Sequence, residues 1–377
     1  MIPPWAANIG SFCPNICRPL SAVAWFVVPV PVFVSGGAML ALANLDSWFT
    51  GVGKLACGSI LSSVNLFSQG SPHAKIFSNF NYDLDADAET GFKAFEVKRA
   101  YLGYGYKLAD GFSAKVTFDV GKNSAGSNYT AFLKIASLSW DASDKLNVSF
   151  GMIGTKNFKF MEKAWGKRYI YKSFQDQNKW ASSADAGANL TYTVSDNLII
   201  DAQILNGDGY KNLQGADAYM RGGAGLIFKA DDISFRVARD VVPRTMYGDD
   251  YEAQYINTLA MAYTSSNLSL GGEYNLRENT ANVVDNTSSA FSVYGSFDIG
   301  NDVSLFGRYD MSDSDDGNDN QWNIENEGEF TIVGIEKQMT KGVKVALNVH
   351  SFKQATLEGE DESEAVNTLY LNLEYKF

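Results

Sequence analysis

The sequence predicts an all-β protein, a transmembrane up-and-down antiparallel β-barrel of 16 strands. Three observations predict it. From residue 75 to the C-terminus, segments of about ten residues alternate apolar and polar side chains, the period of a strand with two unlike faces. Between these segments, very short connections alternate with long polar ones, the layout of a meander crossing a bilayer. The chain then ends on VNTLYLNLEYKF, where Leu369, Leu371, Leu373, Tyr375 and Phe377 share one face and Tyr370, Asn372, Glu374 and Lys376 the other. A soluble sandwich has little reason to leave a terminal Phe at a sheet edge. A membrane barrel has one, because its last strand closes the cylinder and places an aromatic residue at the interface.

Residues 1–74 read as a leader absent from the mature protein, and residues 75–377 as the barrel. The three cysteines, Cys13, Cys17 and Cys57, and seven of the eight prolines precede residue 75, with only Pro243 later. A body nearly free of proline suits long strands that need every ladder N–H. Within the leader, an uncharged run from Pro19 to Leu45 follows Arg18 and ends near Ala41-Leu42-Ala43, but Pro29 and Pro31 interrupt it. A second run, Leu55 to Phe67 after Lys54, ends near Ser68-Gln69-Gly70 or His73-Ala74 and abuts the first strand. That second run is preferred as the export signal, with residues 1–51 an over-long reading of the gene. Lys54 stands where a lipoprotein signal needs an aliphatic residue, which argues against lipidation at Cys57.

Taken in order, the expected strands are 75–83, 92–107, 111–121, 129–140, 144–154, 184–194, 197–206, 217–229, 231–241, 253–264, 267–277, 288–299, 302–312, 327–338, 341–352 and 366–377. Short turns such as Ser195-Asp196, Ser265-Ser266, Gly300-Asn301 and Met339-Thr340 alternate with long connections such as 155–183, 313–326 and 353–365. The faces follow the alternation. Phe112, Val116 and Phe118 oppose Ser113, Lys115, Thr117 and Asp119; Leu268, Leu270 and Tyr274 oppose Ser269, Glu273 and Asn275. Lys98 and Arg99 are neighbours, which comes close to putting charge on both faces of strand 92–107; the pair is placed near the membrane edge and its facing stays open.

Sixteen strands enclose a bore too wide for side chains to fill, so an aqueous channel is expected unless something plugs it. The third long loop, 155–183, is the candidate constriction. It carries Lys156, Lys159, Lys163, Lys167, Arg168 and Lys172 against Glu162 and Asp176, interleaved with Phe158, Phe160, Trp165, Tyr169, Tyr171, Phe174 and Trp180. A loop of this length and aromatic content is expected to be ordered and functional. Folded inward, its cations favour anions; folded outward, they meet lipopolysaccharide phosphates. The inward placement is preferred. On the wall, Lys115, Lys134, Arg221, Arg236, Arg308 and Lys344 are offset by Asp119, Asp201, Asp240, Glu273, Asp298, Asp310 and Glu374, which describes a hydrated, weakly selective lumen.

Several classes are disfavoured. A net charge of −12 leaves no basic surface for nucleic acid. The mean hydropathy of −0.16 looks soluble, but half-lumenal strands average toward zero. No cofactor or metal is expected. Asp83-Leu84-Asp85-Ala86-Asp87 spaces oxygens like a calcium loop, yet Ala88 replaces the turn Gly and Ala94 the bidentate Glu. An enzyme is the main rival, but only His73, expected at or before the leader's end, and His350 are present, and neither sits in a nucleophile motif. A non-conducting binding or adhesion barrel is the other.

At this point the residues resemble a bacterial outer-membrane porin, in the long third loop, the segment Asn206-Gly207-Asp208-Gly209-Tyr210 after a strand, and the terminal Phe377. The run Lys98-Arg99-Ala100-Tyr101-Leu102-Gly103 is most similar to the phosphate-selective porin O and P type. The resemblance covers 75–377 as a likeness of pattern. It implies an outer-membrane location, a final Phe377 read by the barrel-assembly machinery, homotrimers in lipid and lipopolysaccharide, and passive passage of small hydrophilic solutes with an anion preference. The strand wall departs from the family in lacking an arginine ladder.

Overall fold

The structure, a computed structural model, describes residues 70–85, 92–121, 129–215, 219–243, 248–318, 320–357 and 361–377. Most of the expected leader lies outside them. Sixteen antiparallel strands form one closed barrel in which each strand pairs with its sequence neighbours. They are β1 Gly70–Asp83, β2 Lys93–Lys107, β3 Phe112–Gly121, β4 Thr130–Asp141, β5 Leu146–Gly154, β6 Ala184–Ser195, β7 Leu198–Leu205, β8 Arg221–Ala230, β9 Ile233–Val242, β10 Gln254–Thr264, β11 Leu268–Glu278, β12 Thr287–Gly300, β13 Val303–Asp315, β14 Gly328–Thr340, β15 Val343–Gln354 and β16 Val366–Lys376. Two short helices, α1 Lys159–Trp165 and α2 Phe174–Gln177, lie between β5 and β6.

Closure joins the two ends of the body. Phe80 stands opposite Leu371 and Ile76 opposite Tyr375. Phe377 and Ala74 exchange both main-chain hydrogen bonds, at 2.9 and 3.1 Å. The first strand begins five residues before the expected position, at Gly70 rather than residue 75. Ser71, Pro72, His73 and Ala74 pair with β2, opposite Gly105, Tyr104, Gly103 and Leu102. The sequence leaves the end of the leader near either Gly70 or Ala74, and the residues between these two points lie in the ladder. The eighth strand starts at Arg221, later than the expected 217; residues 216–218 lie outside the described residues.

The turns explain the alternation of short and long connections. Between β12 and β13, Asn301 and Asp302 both take left-handed backbone angles, φ 54° and 59°. A turn of that hand matches the twist of the strands it joins, and Asn and Asp tolerate it.

The faces are inverted relative to a soluble protein. Phe150, Val237, Leu259, Val333 and Leu371 point outward and are exposed, while Asp119, Glu273, Asn275, Ser292 and Asn372 on the opposite face are buried. An apolar belt outside and a polar bore inside is the arrangement that lipid demands of a strand protein. Of the five register shifts in the ladder among the described residues, three lie beside short turns and two lie mid-strand, where they break the alternation. In β2, Phe77 pairs with Arg99 and Ser78 with Val97, so Lys98 is the extra residue. In β4, Thr117 pairs with Ile135 and Phe118 with Leu133, so Lys134 is the extra one. A bulge flips the facing of everything beyond it. Lys98 therefore turns inward beside Arg99, which resolves the facing of that pair.

Candidate functional site: the third loop and the wall around it

The connection 155–183 has internal order before it touches the wall. Thr155 Oγ1 donates to the Ser182 carbonyl at 2.7 Å, tying the loop's two ends together. α1 stops at Gly166, whose left-handed backbone, φ 67°, lets its N–H reach the Glu162 carbonyl. The Trp165 indole N–H donates to the Tyr171 carbonyl at 2.8 Å, folding the segment after α1 back onto it.

Three arginines of the wall then hold the loop's main chain. Arg236 of β9 donates to the Lys156 carbonyl at 3.1 Å, Arg221 of β8 to the Trp180 carbonyl at 3.1 Å, and Arg308 of β13 to the Lys172 carbonyl at 2.6 Å. Each guanidinium is also held by a carboxylate: Arg236 by Asp201, Arg221 by Asp240, and Arg308 by Asp310. A planar fork of donors can serve a carboxylate and a carbonyl together, which an ammonium cannot do with equal geometry. β8 makes room for this. A Cβ at Gly225 would stand 2.7 Å from the Arg236 guanidinium, and one at Gly223 2.6 Å from Asp240 Oδ1.

Side chains add further ties. The Gln175 amide donates to Thr258 Oγ1 at 2.8 Å and to Asn275 Oδ1 at 2.6 Å. Tyr169 donates to Glu336 at 2.6 Å and Lys167 to the same carboxylate at 3.1 Å. Trp165, Tyr169 and Ile170 pack with Phe77, Tyr294, Phe306 and Ile332; Phe174 and Trp180 pack with Ile256 and Ala290. The loop is thus strapped to the lumenal face of β8 to β14.

The six loop cations separate into two groups. Lys167 and the wall residue Lys344 both bind Glu336 at 3.1 Å. Arg168 lies 2.5 Å from both Glu162 and Asp176, with Lys172 3.8 Å from Asp176. By contrast, Lys156 donates to Thr191 Oγ1 at 2.6 Å, and Lys159 and Lys163 are exposed. Burial, reinforced by neighbouring Lys159, pushes the Lys156 ammonium down to about 8. Burial also takes Lys172 to about 8, opposed by Asp176 and reinforced by Arg99, Arg168 and Lys134.

Opposite the straps, the wall from β1 to β5 carries cations that border cavities, with Lys134 itself buried between the Tyr101 and Tyr210 rings. Two cavities follow this wall, and both are bounded by Phe77 and Arg168. The outer one, about 450 Å³, is lined by Lys98, Arg99, Arg168, Lys172 and Lys211, with no carboxylate on its lining among the described residues. The inner one, about 320 Å³, has Lys75, Lys115, Lys134, Lys159 and Arg168 against Glu162. Wall acids partner several of these cations: Glu96 lies 2.7 Å from Lys98, Glu374 3.6 Å from Lys75, and Asp119, which is buried, is held by Arg99 at 2.7 Å with Lys134 at 3.6 Å. Tyr210 donates to it at 3.1 Å, so the segment 206–210 reaches this wall too. Burial beside Asp119 raises the Tyr210 phenol to about 12, keeping it protonated as a donor.

Among the wall residues proposed from sequence, Lys115 and Lys134 border the passage, whereas Arg221, Arg236 and Arg308 are engaged with the loop. Glu273 is buried beside Asn275. The sequence reading missed Arg99, Lys98, Lys211 and Tyr210 as a group. Of the two histidines, His73 bonds Thr117 Oγ1 at 3.1 Å, and His350 lies among Tyr171, Phe330 and Tyr370.

No family model matches the sequence, and no curated protein matches it significantly. Solved structures do resemble it. The anion-selective porin from Comamonas acidovorans shares 12% identity over 82% of this chain and 99% of its own, with a TM-score of 0.60. Salmonella typhi OmpF, solved in complex with daunomycin, shares 12% identity over 82% and 97%, with a TM-score of 0.61. OmpT of Vibrio cholerae in a trimer form shares 12% over 82% and 99%, with a TM-score of 0.52. The fold is that of bacterial outer-membrane porins.

Proposed function

We propose that the chain is a passive channel of the bacterial outer membrane, passing small hydrophilic solutes with a mild preference for anions. The observation that carries this reading is the charge of the passage. Among the described residues its two cavities are lined by nine lysines and arginines and by one carboxylate, Glu162, which Arg168 already holds, while Glu96, Asp119 and Glu374 of the wall pair with Lys98, Arg99, Lys134 and Lys75. In a narrow, partly dehydrated path such a lining raises the local concentration of anions. The third loop supports the constriction assigned to it, since Arg168 and Lys172 face the wall cations Arg99 and Lys134 across the passage. Assembly as a homotrimer fits a barrel with a continuous apolar belt and the trimer form of one similar structure. Phe377, whose main chain closes the barrel, is the proposed recognition point for assembly.

Planar-bilayer recording of the purified body in a potassium chloride gradient tests the reading. The expected result is stable conductance with a reversal potential of the anion-selective sign. A cation-selective sign overturns the preference, and absence of conductance overturns the channel. Adding inorganic phosphate to the same bilayers tests the phosphate preference implied by sequence: a phosphate-selective path shows reduced chloride current at millimolar phosphate.

A further inference from the structure

Beneath α1, toward the short-turn end of the barrel, lies a separate cavity of about 370 Å³. That volume falls within the range of roughly 300–1,000 Å³ typical of small-molecule sites. It adjoins the inner part of the passage, because Lys159 borders both. One side is cationic, formed by Lys156, Lys163 and Lys229 together with Lys159. The carboxylate on its lining, Asp201, is already bound by Arg236 through both oxygens, at 2.5 and 3.0 Å. None of the ion pairs among the described residues involves these four lysines.

A second, independent feature is apolar. Ile199 of β7 and Ile227 of β8 face inward, on the same strand faces as Asp201 and Lys229, and with Phe160 of α1 they line the same cavity. Isoleucine on the lumenal face breaks the polar-inside pattern of the barrel. Clustered ammonium groups without a counter-charge repel one another, and the lowered affinity of Lys156 for its proton reflects that crowding after burial. A cationic rim over an apolar floor is complementary to one chemistry.

We propose that this cavity binds organic anions with a compact apolar body, aromatic or branched aliphatic carboxylates, at the short-turn side of the loop. The carboxylate lies among the lysines and the hydrocarbon against Ile199, Ile227 and Phe160. The site goes beyond the channel reading and does not depend on conduction.

Saturation-transfer NMR on the detergent-solubilised full chain tests it, with benzoate as probe and acetate and benzyl alcohol as controls. Benzoate is expected to bind at least about fivefold more tightly than either control, since both the charge and the ring contribute. The double variant Lys163→Gln/Lys229→Gln, outside the proposed passage, is expected to weaken benzoate by about fivefold or more, given partly exposed ion pairs worth up to about 1 kcal/mol each. Equal binding of benzoate and benzyl alcohol, or an unchanged affinity in the double variant, overturns the site. Bilayer recording of the same samples separates this from the channel reading: a conducting protein that fails to discriminate benzoate refutes the site alone, and a silent protein that binds it refutes the channel alone.

Discussion

The wall from β8 to β14 and the wall from β1 to β5 use the same residue types for opposite ends. On the first, Arg221, Arg236 and Arg308 are buried, each held by an aspartate and each donating to a loop carbonyl. Their charge is compensated and their work is mechanical. On the second, Lys98, Arg99, Lys115 and Lys134 border open cavities, with Asp119 as the buried carboxylate among them. Lys98 is paired with Glu96, and Arg99 and Lys134 share Asp119, while Lys115 enters none of the ion pairs among the described residues, so its charge is left to act on whatever passes. The lesson is that a lumenal cation acquires its role from what faces it. Loop main chain opposite makes it a strap, and water opposite makes it part of a selectivity surface.

The largest expected effect comes from cutting a strap. Arg308→Met leaves Asp310 buried without its cation and the Lys172 carbonyl without its donor. Breaking a buried pair in this way costs ~3–5 kcal/mol, measured by denaturant unfolding of the refolded barrel. Single-channel traces are expected to become noisier as the loop loses an anchor. If Arg308→Met changed selectivity and left stability intact, the two walls would not differ as described.

Next comes the open wall. Lys115→Gln removes an exposed charge beside the inner cavity, with little effect on unfolding. A unit charge about 4 Å away is worth about 1 kcal/mol in water, roughly a fivefold change in local ion concentration. The anion-to-cation permeability ratio should therefore fall by up to about fivefold, read from the reversal potential.

A smaller effect follows from pH. Lys156 and Lys172 are charged below their values of about 8 and neutral above them. Raising the pH from 7 to 9 removes positive charge from the loop, so anion selectivity should decline across that interval. Lys172→Arg, charged throughout, should retain more of it at pH 9. The smallest effect is expected at the exposed pair Lys353 and Glu362, 2.6 Å apart at a loop tip. Glu362→Gln should leave conductance and selectivity unchanged, because a solvated pair far from the passage is screened.

Much of the barrel was legible from sequence because its signals are local. Alternation, near absence of proline and the turn residues Asn301 and Asp302 act within a strand or a hairpin. The two bulges left a trace as well. Phe95 and Val97 face lipid at odd positions and Leu102 at an even one; Leu133 is odd, and Leu138 and Trp140 are even. A parity change of that kind requires one extra residue between, and Lys98 and Lys134 are those residues. The start of β1 was less legible. Gly70 to Ala74 carry no strong alternation, and only pairing with β2 and Phe377 makes them strand.

The amino-acid order alone determined the number of crossings, their alternating connections and the faces of the regularly alternating strands, because a period of two and a turn are properties of neighbouring residues; the facing of Lys98 and Arg99 waited for the bulge in the ladder. Only the folded chain decided which cations are compensated and which remain to act. Arg308 meets the Lys172 carbonyl 136 residues away, and Lys167 meets Glu336 at a separation of 169. Electrostatic roles depend on distance through space, and closing the barrel sets those distances.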